Sequence, residues 1–388
     1  MKKLLQATTL TAIGLVGTTA LAQDPCVPGS PSYTSGTYTA ELPYNGGIDR
    51  TFRVHVPPSY DPNNPQETPV VLMFHGWGGN ENGFLDEPAV TSEADYRGVI
   101  LVAPRGLGGE PVPDDNFDFN SWSFLGSTTG LDADGAPQCD TSITPDYSYV
   151  SCGPVGSQSI AKNTCSWTHC ESDDIAFAAD LINEVSHNLC VAKDKVFAMG
   201  GSNGGMFTWN LGQDPRSAGH FRAISTLIGL PHRGYLSAKA TTKDLPVLAI
   251  TGTEDTVVPP GEWEDPSFSA SSAWGESYYY TGATGITRSW AEAHDCSIKG
   301  KAKKFKNHQS GYDCRTYCKY DKGKSKKSKK SKKSNKSNKS NKSKKSKKSN
   351  KSASFPLVLD CRMPVGHDYD LDRSWPLIMD FFEAHSKS

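Results

Sequence analysis

Residues 200–204 read GGSNG, and this Gly-x-Ser-x-Gly pentapeptide constrains the fold of the chain more than any other segment. It stands between the apolar run KVFAM at 195–199 and the segment GMFTWNL at 205–211, which predict a buried strand and a helix. Glycines beside the serine allow a tight, strained turn that holds the hydroxyl clear of the sheet. In this setting the pattern predicts that Ser202 is a nucleophile.

The rest of the chain alternates predicted strands with predicted helices. Short continuous apolar runs are typical of parallel strands buried on both faces, and the alternating segments 37–42 and 51–56 predict a hairpin around NGG at 45–47. We therefore expect an α/β fold, with a mostly parallel sheet, helices on both faces and antiparallel edge strands. The buried strands are predicted at 69–74, 99–102, 195–199, 221–227, 246–251 and 355–361, and the helices at 172–189, from 203 onward, at 287–294 and at 375–385.

A serine nucleophile needs a base to take its proton and an acid to orient that base. On this kind of sheet the chain order is serine, acid, histidine. Asp255 follows the predicted strand 246–251 and His367 follows the last predicted strand, so both are expected at the same sheet edge as Ser202. The sequence therefore predicts a catalytic triad of Ser202, Asp255 and His367.

Three other residues compete for these roles. Glu254 precedes Asp255 directly, but adjacent side chains point in different directions, which favours Asp255. His294 lies on a predicted helix and His385 lies near the C-terminus, so neither has the placement of His367 after a strand.

Acyl transfer also needs hydrogen-bond donors aimed at the oxygen that becomes negative. The geometry of the serine turn predicts the backbone N–H of Asn203 as one donor. The segment HGWGGN at 75–80 follows an early strand, and its glycines let backbone amides approach a substrate oxygen closely. We expect the amides of Gly76 and Trp77 to complete the oxyanion hole; the alternative is an ordinary turn between a strand and a helix.

Residues 1–22 have a positive start, a short apolar core and a small-x-small end, which predict a secretory signal peptide and an extracellular protein. A buried N-terminal helix is the alternative. All ten cysteines follow this segment, and an even number in an exported chain is typical of disulfides. Four of them lie within 139–170, where we expect local bridging. Zinc is the alternative, but the cysteine spacings match no known ligand pattern, so we expect no metal or organic cofactor.

The formal net charge of −1 conceals an uneven distribution of charged residues along the chain. Because 16 of the 41 basic residues lie in 322–352, the rest of the chain has 25 basic against 42 acidic residues. This lysine-, serine- and asparagine-rich segment has no apolar residues for a core, which predicts a disordered insert in a catalytic domain spanning 23–388. It either has no selected role or tethers the protein to an anionic polysaccharide or mineral surface. The export signal disfavours a nucleic-acid partner, and no run of about 18 apolar residues predicts a transmembrane segment.

Two long segments, 105–170 and 261–285, interrupt the alternation of strands and helices. Loops that follow parallel strands gather at the carboxyl edge of a sheet, where ligands bind. Their aromatic residues either line a substrate site or form small cores for the loops themselves.

Five segments of the chain carry a family resemblance: HGWGGN at 75–80, SDDIAF at 172–177, KVFAMGGSNGGMF at 195–207, ITGTEDTVVP at 250–259 and VGHDY at 365–369. Together they resemble a family of secreted α/β-hydrolase esterases that groups polyhydroxybutyrate depolymerases with feruloyl and acetylxylan esterases. The resemblance spans about residues 38–384, outside the long loops and the basic insert. It implies Ser202 as nucleophile, Asp255 as acid and His367 as base, with the loop 75–77 in the oxyanion hole. The family often has His-x-Trp-Pro where this chain has His367-Asp368-Tyr369.

The expected function is hydrolysis of carboxylic esters through an acyl-serine intermediate. Feruloyl or acetyl esters of polysaccharide are the preferred substrates, and an aliphatic polyester such as polyhydroxybutyrate is the alternative. A function of another class stays open, in which an inactive hydrolase fold binds an extracellular matrix through its basic insert.

Overall fold

The computed structural model describes residues 26–27, 33–44, 48–64, 66–108, 120–144, 165–166, 173–235, 245–306, 308–320 and 354–386. The predicted signal peptide and the basic insert at 322–352 lie outside these residues, as do Cys152 and Cys170.

Strands and helices alternate through most of the described chain. The strands are β1 (Gly36–Tyr44), β2 (Ile48–Val56), β3 (Thr68–Phe74), β4 (Ile100–Pro104), β5 (Val191–Gly201), β6 (Ala223–Leu227), β7 (Val247–Gly252), β8 (Phe268–Ala270), β9 (Tyr279–Thr281), β10 (Lys303–Phe305), β11 (Asp313–Thr316) and β12 (Val358–Met363). The α-helices are α1 (Pro88–Arg97), α2 (Asp174–Asn188), α3 (Asn203–Gln213), α4 (Ala283–Ala293) and α5 (Leu371–Ser386).

A sheet of ten strands runs through the molecule in the order β1-β2-β4-β3-β5-β6-β7-β12-β11-β10. The six strands from β4 to β12 pair in parallel, whereas β1 and β2 form an antiparallel hairpin at one edge. At the other edge β10 and β11 are antiparallel. The predicted fold class is confirmed, including the opening hairpin.

The continuous apolar runs are explained by burial on both faces of the sheet. Along β3, Val70 and Leu72 belong to one core cluster and Val71 and Met73 to the other. The first cluster contains the buried faces of α2, α3 and α4, and the second contains those of α1 and α5. Because successive side chains of a strand point to opposite faces, a strand between two helical layers needs apolar residues at every position.

Four disulfides lie within the described residues: Cys26–Cys190, Cys139–Cys165, Cys296–Cys318 and Cys314–Cys361. The Cys139–Cys165 bond confirms the expected local bridging within 139–170. Cys314 and Cys361 are directly opposite each other on β11 and β12, so that bond joins the antiparallel edge to the last parallel strand. Crosslinks of this kind are typical of proteins in oxidising compartments.

The start of α2 differs from the prediction. The helix was predicted from residue 172 but begins at Asp174, and the side chain of Asp173 accepts a hydrogen bond from the Ala176 amide at 3.1 Å, so Asp173 is its N-cap. The next residue, Asp174, forms a fully buried ion pair with Arg50 at 2.9 Å. Its second carboxylate oxygen accepts the Ser123 amide at 2.7 Å, which fixes the following loop segment to the helix start.

The long segment 261–285 contains elements that the sequence did not predict, a two-stranded ribbon of β8 and β9. Its aromatic residues differ in burial. Tyr278 and Tyr280 are buried and belong to the core cluster on one face of the large sheet, whereas Phe268 and Trp274 are exposed at 50% and 75%.

Candidate active site

The serine turn joins β5 to α3 at the carboxyl end of the sheet. Ser202 has a φ of 51° and a ψ of −119°, a left-handed backbone that an L-residue rarely adopts, and its amide donates to the Leu227 carbonyl at 2.8 Å. A β-carbon at Gly200 would lie 2.1 Å from the Gly204 carbonyl oxygen, and one at Gly204 would lie 2.0 Å from the Phe74 carbonyl oxygen. Both flanking glycines are therefore required by close backbone contacts.

Ser202, His367 and Asp255 form a continuous hydrogen-bonded chain. The hydroxyl of Ser202 is 2.9 Å from His367 Nε2, and Asp255 Oδ2 is 2.8 Å from His367 Nδ1. A carboxylate accepts hydrogen bonds, so Nδ1 carries the ring proton and Nε2 is free to accept the proton of the serine hydroxyl. The three residues come from the ends of three parallel strands, β5, β7 and β12.

The second oxygen of Asp255 fixes the position of the carboxylate. It accepts the backbone amides of Val257 and Val258 at 2.8 and 2.9 Å, and the side chain is completely buried. Glu254, the rival acid, is exposed to solvent. The carboxylate that can orient His367 is therefore that of Asp255.

The rival histidines lie elsewhere and contact backbone carbonyls. His294 Nε2 is 2.9 Å from the Leu245 carbonyl oxygen, and His385 Nε2 is 3.2 Å from that of Pro356. These contacts are typical of structural histidines in a core.

The first helical residue, Asn203, presents its backbone amide beside the serine. The amide belongs to the first turn of α3, where intrahelical partners do not exist, and no other acceptor for it occurs among the described residues. The Asn203 side chain is fully buried, and its Oδ1 accepts the Trp122 amide at 2.9 Å. The side chain thus joins the serine turn to the loop 120–124.

His75 fixes the loop that follows β3. Its Nδ1 is 2.7 Å from the Gly76 carbonyl oxygen, and its Nε2 accepts the Gly106 amide at 2.8 Å. Burial lowers the pKa of His75 to about 4, so the ring is neutral near neutral pH and can donate at one nitrogen and accept at the other. His75 therefore contacts both the loop after β3, at Gly76, and the loop after β4, at Gly106.

Asn120 and Trp122, which the sequence analysis did not identify, also hydrogen-bond to the loop after β3. Asn120 accepts the Gly78 amide through its backbone carbonyl, at 2.8 Å, and donates through Nδ2 to the Gly79 carbonyl, also at 2.8 Å. Trp122 donates through Nε1 to the His75 carbonyl at 2.9 Å. These contacts cross about 40 residues of chain, and no local pattern signals them.

The predicted oxyanion residues Gly76 and Trp77 lie on this fixed loop. A β-carbon at Gly76 would be 3.3 Å from Ser202 Cβ, which places the loop beside the candidate nucleophile. The same β-carbon would be 2.6 Å from the Tyr369 hydroxyl oxygen, so that hydroxyl also lies against Gly76. Trp77 is partly buried and packs against the core.

The strand order, the strained serine turn and the order serine, acid, histidine at the carboxyl edge together decide the architecture. The chain has an α/β-hydrolase fold. The serine turn and the loop after β3 meet at the carboxyl edge of the sheet.

No protein-family model matches the chain, and no curated protein matches it by sequence. Several solved esterases are similar in structure. An acetyl xylan esterase from Aspergillus awamori has 11% identity and a TM-score of 0.49, covering 89% of this chain and 99% of its own. A poly(3-hydroxybutyrate) depolymerase from Bordetella parapertussis has 18% identity and a TM-score of 0.34, covering 59% of this chain and 70% of its own. A ferulic acid esterase from Anaeromyces mucronatus has 13% identity and a TM-score of 0.36, covering 61% of this chain and 78% of its own.

The described residues contain no group of three or more His, Cys, Asp or Glu side chains placed to hold a metal ion. In the same part of the chain, no helix has the length and apolar character needed to cross a membrane.

Proposed function

We propose that the chain is a secreted serine esterase that cleaves carboxylic esters through an acyl-enzyme. The observation that carries this proposal is the hydrogen-bonded chain from Ser202 through His367 to Asp255 at the carboxyl edge of the sheet. A hydroxyl that donates to a neutral imidazole, itself oriented by a buried carboxylate, is the arrangement that activates serine for attack on a carbonyl.

The reaction uses each residue of this chain in turn. Ser202 Oγ attacks the ester carbonyl while its proton passes to His367 Nε2, and Asp255 stabilises the resulting imidazolium. The Asn203 amide and the loop 76–77 supply hydrogen bonds to the oxygen that becomes negative. His367 then gives its proton to the departing alcohol. Water repeats the same steps on the acyl-serine and releases the acid.

Feruloyl or acetyl esters of polysaccharide are the substrates we favour, with a polyester such as polyhydroxybutyrate as the second candidate. The sequence motifs resemble enzymes of both kinds. Two exposed aromatic side chains, Phe268 and Trp274, lie in the segment that follows β7 and Asp255. Trp274 belongs to a short turn whose neighbouring amides, Ser272 and Ala273, donate to the Thr256 carbonyl beside Asp255. An exposed ring at this position suits a sugar or an aromatic acyl group.

The substrate class is tested by measuring hydrolysis of methyl ferulate, an acetylated xylo-oligosaccharide and a 3-hydroxybutyrate oligomer in parallel. Ser202→Ala is the control, and the folded state of both proteins is checked by thermal unfolding. We expect one substrate to be cleaved at least about 100-fold faster by the wild type than by the variant. Preference for the hydroxybutyrate oligomer would replace polysaccharide esters by polyester. Absence of all three activities in a folded wild type would favour the matrix-binding alternative.

The basic insert is assigned a separate role, adsorption to an anionic polysaccharide or mineral surface. The described residues that flank it, Tyr320 and Ser354, precede β12, whereas His367 follows that strand, so the insert joins the sheet away from the candidate active site. Deletion of 322–352 should leave turnover of a small soluble ester unchanged and weaken adsorption to silica or pectin. A large loss of turnover in the folded deletion variant would contradict this assignment.

A further inference from the structure

The hydroxyl of Tyr369 lies directly against the turn that carries Ser202. A β-carbon built on Gly76 would be 2.6 Å from Tyr369 Oη, and one built on Gly201 would be 2.7 Å from it. The hydroxyl therefore fills the space between the loop after β3 and the serine turn, and only glycines at 76 and 201 leave that space open.

Tyr369 is held in place through both its ring and its backbone. It stacks on Phe84 with a centroid distance of 5.3 Å and an interplanar angle of 29°. Its backbone carbonyl accepts the Ser374 hydroxyl at 2.7 Å, at the start of α5. Tyr369 also follows His367 by two residues, so the same loop carries the candidate base and this hydroxyl.

The proton of this hydroxyl is available to a ligand, because no acceptor for it occurs among the described residues. Burial raises the pKa of Tyr369, so the phenol remains protonated at neutral pH. A protonated phenol without an internal acceptor can donate a hydrogen bond to a bound substrate.

We propose that the Tyr369 hydroxyl is a donor of the oxyanion hole and a further catalytic residue of the esterase reaction, an inference that rests on the proposed function. When Ser202 Oγ bonds to the acyl carbon, the π electrons of the carbonyl move to its oxygen. Tyr369 donates a hydrogen bond to that oxygen, alongside the Asn203 amide, and keeps its own proton.

The variant Tyr369→Phe removes the donor and retains the ring that stacks on Phe84. We expect kcat for 4-nitrophenyl acetate to fall by about 100-fold with KM nearly unchanged, because an oxyanion donor acts on the transition state. Methylboronic acid forms a tetrahedral adduct with the serine, whose anionic oxygen would occupy the same hole. Its affinity should fall with kcat, which a merely structural role of the tyrosine would not produce.

Tyr60→Phe is the matched control. Tyr60 is buried and its hydroxyl accepts the Cys190 amide at 3.0 Å, but it lies at the opposite end of β5 from Ser202. Loss of this hydroxyl should lower the unfolding midpoint and leave kcat unchanged. Incorporation of 3,5-difluorotyrosine at position 369 gives a second test that keeps the packing: kcat should then fall on the alkaline side as the more acidic phenol ionises.

The possible results distinguish a failure of the role assigned to Tyr369 from a failure of the proposed esterase function. An unchanged kcat in folded Tyr369→Phe, with a pH profile unaltered by the fluorinated residue, would overturn the role of Tyr369 alone. An increased kcat would also overturn it, because the hydroxyl would then obstruct the oxyanion hole instead of completing it. A folded wild type that neither hydrolyses the ester nor binds the boronic acid would overturn the proposed function itself.

Discussion

His75 Nε2 accepts the backbone N–H of Gly106 at 2.8 Å, and this contact ties the loop after β3 to the chain that leaves β4. The same ring contacts the Gly76 carbonyl through Nδ1, at 2.7 Å. A neutral imidazole is required for both contacts, because the cation has no acceptor nitrogen.

His75→Phe should therefore damage both stability and turnover. The phenyl ring fits a similar volume but leaves the Gly106 amide without its partner, which costs about 1–3 kcal/mol of unfolding free energy. We expect kcat to fall, because the oxyanion loop loses one of its anchors. Urea unfolding and ester hydrolysis measure the two effects.

The control for this variant is His308→Phe. His308 is half-buried and contacts Ser310 and the Phe305 carbonyl, near β10 at the far edge of the sheet. Its replacement should leave kcat unchanged. Equal activity losses in both variants would contradict a specific role for His75.

Buried histidines also predict how stability depends on pH. Burial lowers the pKa of His75, His232 and His385 to about 4, whereas unfolded histidine titrates near 6.5. Below about pH 6.5 the unfolded chain binds protons that the folded chain does not, so the free energy of unfolding falls as pH drops toward 4 and is fully retained above about 7. Urea unfolding between pH 4 and 8 measures this slope.

His385→Gln isolates one of these contributions without touching the candidate active site. Glutamine can still donate to the Pro356 carbonyl and does not titrate. The variant should show a shallower loss of stability between pH 6.5 and 4 than the wild type. Identical slopes would mean that His385 titrates normally in the folded protein.

Gly204→Ala tests the close approach of α3 to β3. The added β-carbon would lie 2.0 Å from the Phe74 carbonyl oxygen and 2.5 Å from that of His75, both backbone atoms that cannot move aside cheaply. We expect a strongly lowered melting temperature and loss of activity. The control is Gly219→Ala, where nothing lies within 4 Å of the added carbon. Equal stability of the two variants would contradict the close contact.

Asp174→Asn tests the buried ion pair with Arg50. Removing one partner leaves an uncompensated charge in the core, and we expect a loss of about 3–5 kcal/mol in unfolding free energy. Glu264→Gln is the control, because its pair with Lys301 is exposed to solvent and should contribute little. A small effect of Asp174→Asn would mean that the guanidinium finds another partner.

The sequence was sufficient for those features that local patterns encode. Apolar runs and the GGSNG turn predicted the parallel sheet, and placement after β7 and β12 selected Asp255 and His367, which the structure brings to Ser202. Boundaries were less accurate: β5 begins at Val191 rather than 195, and α4 begins at Ala283 rather than 287. Sheet pairing extends a strand beyond its apolar stretch, and small residues such as those at 283–286 give a weak helical pattern.

Long-range contacts could not be read from the sequence. Helix α1 has only Val90 and Ala94 fully buried, too few apolar positions for a recognisable stripe. Asn120 and Trp122 reach the oxyanion loop, and Tyr369 reaches Gly76, across tens to hundreds of residues. Such contacts depend on the finished fold, because a hydrogen-bond partner so distant in sequence leaves no periodic signal.

The central claim is that Ser202 is a nucleophile activated by His367. The most direct measurement is the reaction of the full chain with a fluorophosphonate, followed by mass spectrometry of the modified peptide, with His367→Gln compared at equal concentration. We predict a single adduct on Ser202 in the wild type and a rate at least about 100-fold lower in folded His367→Gln. A folded wild type with no adduct on Ser202, or one labelled equally fast in both proteins, would contradict the account.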